Sequence, residues 1–205
     1  GRHRLRASGP CRHAVRTRTR AGREVLARHR PRRRHRALDE RLPELNLEGA
    51  VVLGESILLA QRGNGASRSN AIVVLDAATT KDGLSDGAVS AASLRDVVPV
   101  DLGSLDDVAL SMTDLAVDAT GRLWFSAAAE DTRNTYEDGA CVGSILGRFD
   151  ERFRVVEVMR IEGREKVEGV AFDPNDPSGA SAVLVVDPDD PARSARCLRV
   201  RLVGD

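Results

Sequence analysis

Three acidic side chains interrupt apolar stretches that otherwise alternate like buried strands: Glu48 in LNLEGAVV, Asp114 in MTDLAVD and Glu168 in KVEGVAFD. Carboxylates that converge repel one another unless something neutralises them, and a hard cation with oxygen ligands, Ca²⁺ or Mg²⁺, is suited to this. The alternative is that each carboxylate accepts local backbone N–H groups or pairs with a neighbouring arginine. The sequence therefore predicts either a metal centre or three structural acids.

A second polar group marks the ends of the strands that follow these acids. Arg62, in AQRGN, has the geometry to hold a phosphate or carboxylate with two hydrogen bonds, and Asn64 lies in a turn that exposes backbone N–H groups. The other members of this polar group are Gln61 in AQRGN, Glu130 and Asp131 in AAEDT, and Asp187 in VVDPDD. The interpretation that we favour is an ion pair between Arg62 and Glu130 that links two repeat units.

The loop EDTRNTYEDGA, residues 130–140, carries Tyr136 and several acids. It is predicted either to gate a channel mouth and add ligands, or to be a solvated acidic loop. The candidate assignments are catalytic Glu48, Glu168 and Glu130; ligand-binding Arg62, Asn64 and Tyr136; and metal-ligating Glu48, Asp114, Glu168 and Asp131. All four histidines lie within residues 1–36, so any hydrolysis would use a metal-bound water with a carboxylate base.

The elements that must position these residues are β-strands that recur in the same order from residue 45 onward. Two units of four strands are followed by three strands of another, and each acid stands on the first strand of its unit. Strands such as AIVVLD and AVLVVD are apolar on both faces, as in a sheet packed between two neighbours. The predicted fold is all-β: a partial β-propeller of four-stranded blades over residues 42–205, with a sandwich or a solenoid as the alternative.

Two blades and three strands cannot close a ring, because propellers usually have about four to eight blades. We therefore expect that the upstream half of a six-bladed or similar ring has been lost or misread. In that arrangement the first strand of each blade lines the central channel, which would bring Glu48, Asp114 and Glu168 towards one axial cavity.

Residues 1–41 form a basic leader. Residues 1–36 contain 14 arginines and one glutamate, a net charge of +13, whereas the remaining 17 basic and 30 acidic residues give −13. The leader contains few apolar residues, and burying them could not offset the conformational entropy lost when the segment is ordered. The leader is therefore predicted to be disordered. Three interpretations stay open: out-of-frame translation of a GC-rich gene, which we favour, a solvated tail, and an arm that contacts nucleic acid.

The three cysteines, Cys11, Cys141 and Cys197, form no CxxC pair, and their odd number favours free thiols in a reducing compartment, so a cytoplasmic location is expected. Cys141 and Cys197 are predicted to be small core residues. No apolar run is long enough for a membrane span, and no secretory signal is visible.

Taken together, LNLEGAVVLGESILLAQRGNG, NAIVVLD, MTDLAVD, GRLWFSAAAEDTRNTYEDGACVGSILG and KVEGVAFD resemble an uncharacterised bacterial β-propeller family. That family is similar to the phytase-like six-bladed hydrolase propellers, and the resemblance covers residues 42–202. It implies the fold, and by analogy a metal-assisted hydrolase of a small ester or phosphoester. The alternatives are a non-catalytic propeller that binds a protein or small ligand at its rim or channel, and nucleic-acid contact through the leader.

Overall fold

The computed structural model describes residues 41–42, 44–64, 67–85, 89–131, 140–190 and 192–202. Over these residues the chain is all-β, with three antiparallel sheets and one α-helix. The predicted disorder of residues 1–40 lies outside the described residues. Within the described part of the chain, no helix has the length and apolar character that a membrane crossing needs.

Each sheet is built from consecutive strands. The first sheet contains β1 (Leu47–Leu53), β2 (Ser56–Gln61), β3 (Asn70–Asp76) and β4 (Leu94–Val100) in that order. The second contains β5 (Ser104–Leu105), β6 (Val108–Val117), β7 (Leu123–Glu130), β8 (Cys141–Phe149) and β9 (Val155–Arg160). The third contains β10 (Lys166–Phe172), β11 (Ser181–Asp187) and β12 (Arg196–Arg201). Ten of these twelve strands fall within the predicted segments; β6 begins four residues before the predicted MTDLAVD stretch, and the two-residue β5 was not predicted.

The first long strand of every sheet carries a one-residue register shift, near the start of β1 and β10 and in the middle of β6. The shifts lie between Leu47 and Gly49, between Met112 and Asp114, and between Val167 and Gly169. A bulge of this kind leaves one residue without a partner and re-aims its side chain. The unpaired residues are Glu48, Thr113 and Glu168, so the position that matches the two glutamates in the second sheet is a threonine.

Neighbouring sheets pack face to face through their apolar residues. Leu58 and Ile72 of the first sheet join Phe125 and Ile145 of the second in one buried cluster. A second cluster lies between the second and third sheets and includes Trp124, Leu146, Leu184 and Val186. β3, which contains AIVVLD, is buried on both faces as its composition predicts, whereas β11, which contains AVLVVD, is buried on one face only and leaves Val185 exposed on the other. β6 packs against both β1 and β10, so the first long strands of the three sheets lie side by side.

Each of the two junctions between sheets contains a polar side chain that makes two hydrogen bonds to the backbone of the following sheet. The Asn70 side chain accepts from the Met112 N–H at 2.9 Å and donates to the Leu110 carbonyl at 2.8 Å. At the following junction, Ser144 accepts from the Val167 N–H at 3.0 Å and donates to the Glu165 carbonyl at 2.7 Å. Asn70 and Ser144 occupy the same register position, one residue before the third-strand partner of the bulge. The repeat therefore includes a buried polar clamp as well as the apolar faces.

The link between β3 and β4 differs from the prediction, because it contains the helix α1 (Ala77–Ser85). Asp76 caps the start of the helix, and its carboxylate accepts from the Thr79 N–H at 2.7 Å. A 3-10 turn over Ala91–Ser93 then leads into β4.

Both cysteines of the described region are free thiols, and neither is a core residue. Cys141 is half-buried and Cys197 is exposed, so their prediction as core residues is wrong. Cys197 occupies the register position of Ile72 and Leu146, which are fully buried between sheets. It is exposed because it lies on the face of the third sheet that points away from the second.

Candidate functional site

The end of the three sheets where β1 and β10 begin carries a group of six charged side chains, called here the charge cluster. Two of its members are cationic and four are acidic: Arg62, Lys166, Glu48, Glu130, Glu168 and Asp189. The bulges of β1 and β10 aim Glu48 and Glu168 into this group, whereas the remaining members stand at or just beyond strand ends. All three sheets therefore contribute to one cluster.

Arg62 is the central cation, and its side chain is only 6% exposed. Its Nη2 is ion-paired with Oε2 of Glu130 on the second sheet. Its Nη1 lies 3.5 Å from Oε1 of Glu48 and 3.8 Å from Oε1 of Glu168. Burial alone lowers the pKa of Arg62, but the carboxylates of Glu130, Glu168 and Glu48 outweigh it and raise that pKa. The ion pair predicted between Arg62 and Glu130 is present, and it links two sheets.

Lys166 is the second cation and was not predicted. Its Nζ lies 3.0 Å from Oδ1 of Asp189, 3.1 Å from Oε1 of Glu130 and 3.2 Å from Oε1 of Glu168. Burial lowers the pKa of the ammonium, but hydrogen bonds to Asp189 and Glu130 raise it overall. Glu130 is almost fully buried between Arg62 and Lys166, so two cations face one carboxylate.

Glu168 contacts both cations of the cluster, Lys166 at 3.2 Å and Arg62 at 3.8 Å. Burial raises its pKa, and the opposing influence of Arg62 and Lys166 does not cancel that increase. Its side chain remains 23% exposed, so solvent and small molecules can reach it. A further positive charge beside Glu168 would stabilise the ionised carboxylate.

A cavity of about 480 Å³ opens beside Glu168. Its walls include the Asp187, Asp189 and Asp190 side chains and one basic residue, Arg193. The lining thus carries four carboxylates against one guanidinium. This cavity lies on the third sheet, at the end of the strands where the charge cluster is found.

Asp114 does not join the cluster, although it was predicted as a metal ligand beside Glu48 and Glu168. It lies one residue after the bulge position, so its carboxylate is directed between β1 and β10. There it accepts from the Val170 N–H at 2.9 Å and the Leu115 N–H at 2.8 Å. Burial raises its pKa more than these two hydrogen bonds lower it. The structural alternative, in which the acid accepts backbone N–H groups, describes Asp114.

The remaining predicted site residues lie apart from the cluster. The side-chain oxygen of Asn64 accepts a hydrogen bond from the Asn46 side chain at 3.1 Å. Asn46 lies in the chain segment that precedes β1. Asp131 is exposed, and its backbone N–H donates to the Ala140 carbonyl at 3.3 Å. Tyr136 lies outside the described residues, as does the rest of the segment 132–139. Asp187 lines the cavity, whereas Asp189, two residues further on, makes the contact to Lys166.

The predicted metal centre is not assembled in the described residues, where no group of three His, Cys, Asp or Glu side chains is placed to hold a metal ion. The oxygens of Glu48 and Glu168 that would serve as ligands face Arg62 instead. The assignment of Ca²⁺ or Mg²⁺ stays a prediction. Sequence reasoning missed Lys166 and Asp189, although Lys166 begins the same KVEGVAFD stretch two residues before Glu168.

A family of unknown function (DUF6910) matches residues 10–191, which is most of the chain and includes much of the arginine-rich leader. No curated protein matches the chain.

Proposed function

Because the chain belongs to this family, whose function is unknown, we propose its function from the geometry of the charge cluster. In this proposal the chain is a non-catalytic scaffold of the β-propeller type that binds a positively charged small molecule. The ligand occupies the cavity beside Glu168, and its cationic group faces that carboxylate. The observation that carries the proposal is the excess of negative charge in a cluster that is partly buried.

The propeller is supported by the repetition of the sheet junctions. The bulge, the apolar face and the polar clamp recur at the same register positions, and the first long strands lie side by side. A radial arrangement of four-stranded blades around an axis would produce this repetition. The first sheet has four strands, the second has a fourth strand in β9, and the third would be completed by one more strand.

The charge balance favours a cationic ligand. Four carboxylates and two cations leave the cluster with a charge of −2 when every group is ionised. Asp187 and Asp190 add to the negative potential of the cavity, and Arg193 partly offsets it. A cleft lined mainly by one sign of charge concentrates ligands of the opposite sign. An ammonium or guanidinium group would also make charge-assisted hydrogen bonds to Glu168.

The ion pairs of the cluster favour binding over catalysis. Glu130, which was predicted as a catalytic base, is buried between Arg62 and Lys166 and is only 2% exposed. A general base must reach the proton that it removes, within about 3 Å or through one water. Glu48 and Glu168 are more exposed than Glu130, but the carboxylates of both are ion-paired with Arg62. The metal-assisted hydrolase inferred by analogy therefore stays a prediction without a supporting contact.

Thermal unfolding in the presence of matched small molecules tests the proposal. Agmatine and putrescine should raise the unfolding temperature of the full chain, because they bind the folded state. Succinate, of similar size and opposite charge, and xylose, which is neutral, should leave it unchanged. Stabilisation by succinate or xylose without stabilisation by the amines would overturn the proposal. Stabilisation by Ca²⁺ that is lost in Glu48→Gln and Glu168→Gln would instead support the metal centre predicted from the sequence.

A further inference from the structure

We propose that the ligand of the cavity beside Glu168 is a free amino acid with a cationic side chain. This inference rests on the proposed function, which assigns a cationic group to the cavity, and it adds the chemistry of the rest of the ligand. The side-chain cation faces Glu168, and the α-carboxylate faces Arg193. The α-ammonium group faces two aspartates of the same wall, Asp187 and Asp190. A ligand with two positive charges and one negative charge thus matches a wall of carboxylates and one guanidinium.

The guanidinium of Arg193 is the group that indicates a carboxylate on the ligand. Among the described residues that line the cavity, Arg193 is the only basic one, and it lies between β11 and β12. Within the described part of the chain its side chain makes no ion pair or hydrogen bond, although three aspartates line the same cavity. A guanidinium binds a carboxylate with two parallel hydrogen bonds. Arg193 is therefore available to a carboxylate of the ligand.

The aspartates of the wall are held by contacts other than Arg193. Oδ1 of Asp187 accepts from the Asp189 N–H at 2.9 Å, and Oδ1 of Asp190 accepts from the Ala192 N–H at 2.9 Å. Asp189 itself accepts from the Lys166 ammonium at 3.0 Å. In the described residues, the second oxygens of Asp187 and Asp190 make no hydrogen bond. These two oxygens can accept from an α-ammonium group.

The cavity also has an apolar wall, formed by Val185, Pro188 and Ala195. Val185 lies opposite Gly169 in the sheet and is 43% exposed. The methylene groups of a long cationic side chain pack on such a surface while the charged end reaches a polar partner. The cavity volume of about 480 Å³ lies within the range of about 300–1,000 Å³ that is usual for small-molecule sites. A free amino acid is therefore of suitable size.

Two simpler ligands match this wall less well. A diamine would satisfy the carboxylates, but its second cation would share the cavity with Arg193, and like charges at close range are unfavourable. A dicarboxylate would pair with Arg193 and meet four carboxylates. An amino acid with a cationic side chain gives every charged group of the wall a partner of opposite sign.

The test titrates L-arginine, L-argininamide and agmatine into the full chain by isothermal calorimetry at about pH 6, where the amines of the ligands are protonated. Argininamide keeps both cations of arginine but has a neutral amide in place of the carboxylate. Attraction to a negative cavity alone would favour argininamide, which has the greater positive charge. We expect the reverse: arginine should bind about fivefold more tightly, the upper range for an ion pair that solvent reaches.

Two matched changes assign the charged groups of the ligand. Arg193→Gln should abolish the preference, so that argininamide binds at least as tightly as arginine, whereas agmatine should bind no more weakly than to the wild type. Arg152→Gln, which changes an exposed arginine in the turn between β8 and β9, is the control and should keep the preference. L-citrulline, which has a neutral side chain of nearly the same shape, should bind more weakly than arginine.

The outcomes separate this inference from the proposed function. If agmatine binds but argininamide binds as tightly as arginine, the amino-acid ligand is wrong and the cationic ligand stands. The same conclusion follows if Arg193→Gln keeps the preference for arginine, or if citrulline binds as tightly as arginine while agmatine binds. If none of the four molecules binds, the proposed function fails, and the amino-acid ligand fails with it.

Discussion

Arg62 and Glu130 form a buried ion pair that joins the end of β2 in the first sheet to the end of β7 in the second. Neither side chain is more than 6% exposed. Burying two charges costs solvation energy that their attraction must offset, so removing one partner leaves an uncompensated charge. This relationship makes the charge cluster a structural junction as well as a candidate binding site.

Replacing Arg62 with methionine should therefore destabilise the fold. The buried Glu130 carboxylate would keep only Lys166 as a cation, and we expect a loss of about 3–5 kcal/mol in the free energy of unfolding. The double variant Arg62→Met/Glu130→Met should be more stable than Arg62→Met alone. Urea denaturation measures both, with the exposed Arg152→Met as the control. A loss below about 1 kcal/mol, the range of surface pairs, would contradict the role of the pair.

The clamp residues should be needed for the sheet junctions. Asn70→Ala would leave the Met112 N–H and the Leu110 carbonyl without their partner, at a cost of about 1–3 kcal/mol for each buried group. Ser144→Ala would remove the matching contacts to Val167 and Glu165 and should cost less, since Asn70 also accepts from the Gly63 N–H and its loss leaves one more group unpaired. Hydrogen exchange should accelerate at the Met112 amide in the first variant and at the Val167 amide in the second. Uniform acceleration at both amides in both variants would argue against local clamps.

Gly49 and Gly169 give a matched test of the place assigned to Asp114. A Cβ on Gly49 would lie 2.8 Å from Oδ1 of Asp114 and 2.8 Å from the Leu115 nitrogen, whereas the nearest atom to a Cβ on Gly169 is 3.5 Å away. Gly49→Ala should cost about 1–3 kcal/mol through overpacking. Gly169→Ala should stay within about 0.5 kcal/mol of the wild type. Equal effects in urea denaturation would show that the Asp114 carboxylate does not lie against β1.

Asp118 should make the stability of the fold dependent on pH in acid. Burial raises the pKa of this carboxyl, but hydrogen bonds from Thr120, Trp124 and Arg122 outweigh it and lower the pKa to about 2. A carboxyl with a lowered folded-state pKa stabilises the protein above its unfolded pKa of about 3.9, and the contribution is lost as the pH falls towards 2. The contribution is about 2 kcal/mol.

Asp118→Asn should remove this part of the pH dependence, so its free energy of unfolding should fall less steeply between pH 4 and pH 2. Denaturation curves at several pH values in that window measure the slope. Asp82→Asn, at an exposed position of the helix α1, is the control. A slope in Asp118→Asn equal to that of the wild type would contradict the assignment.

The strands could be predicted because their apolar runs are bounded by Gly, Asp and Pro, and both signals are local. The helix α1 could not, since AATTKDGLS has little apolar periodicity and its start depends on the Asp76 cap. Matching Asp114 to the two glutamates relied on charge, whereas the bulge that sets the register gives this place to Thr113. Register within a sheet depends on pairing with other strands, which one strand's sequence does not show.

The charge cluster was predicted in part for a similar reason. Glu48, Glu168, Glu130 and Arg62 were visible as polar residues in apolar surroundings. Lys166 is the first residue of β10, and a lysine at the start of a strand usually remains solvated. It is buried here because it pairs with Glu130, at the end of β7, and with Asp189, just beyond β11. Acids alone favour a metal centre, whereas the presence of a second buried cation changes the expected ligand from a metal ion to an organic cation.

The central claim is that Glu168 binds the cationic group of a ligand. Isothermal titration of agmatine into the full chain and into Glu168→Gln tests it most directly, with Glu162→Gln, an exposed glutamate, as the control. The wild type should bind, and binding should strengthen as the pH rises through the raised pKa of Glu168 and then level off, because the ionised carboxylate is the binding form. Glu168→Gln should bind at least about tenfold more weakly, the loss of about one charge-assisted hydrogen bond, and without that pH dependence. Equal affinity of the wild type and Glu168→Gln, or no heat of binding in either, would contradict the account.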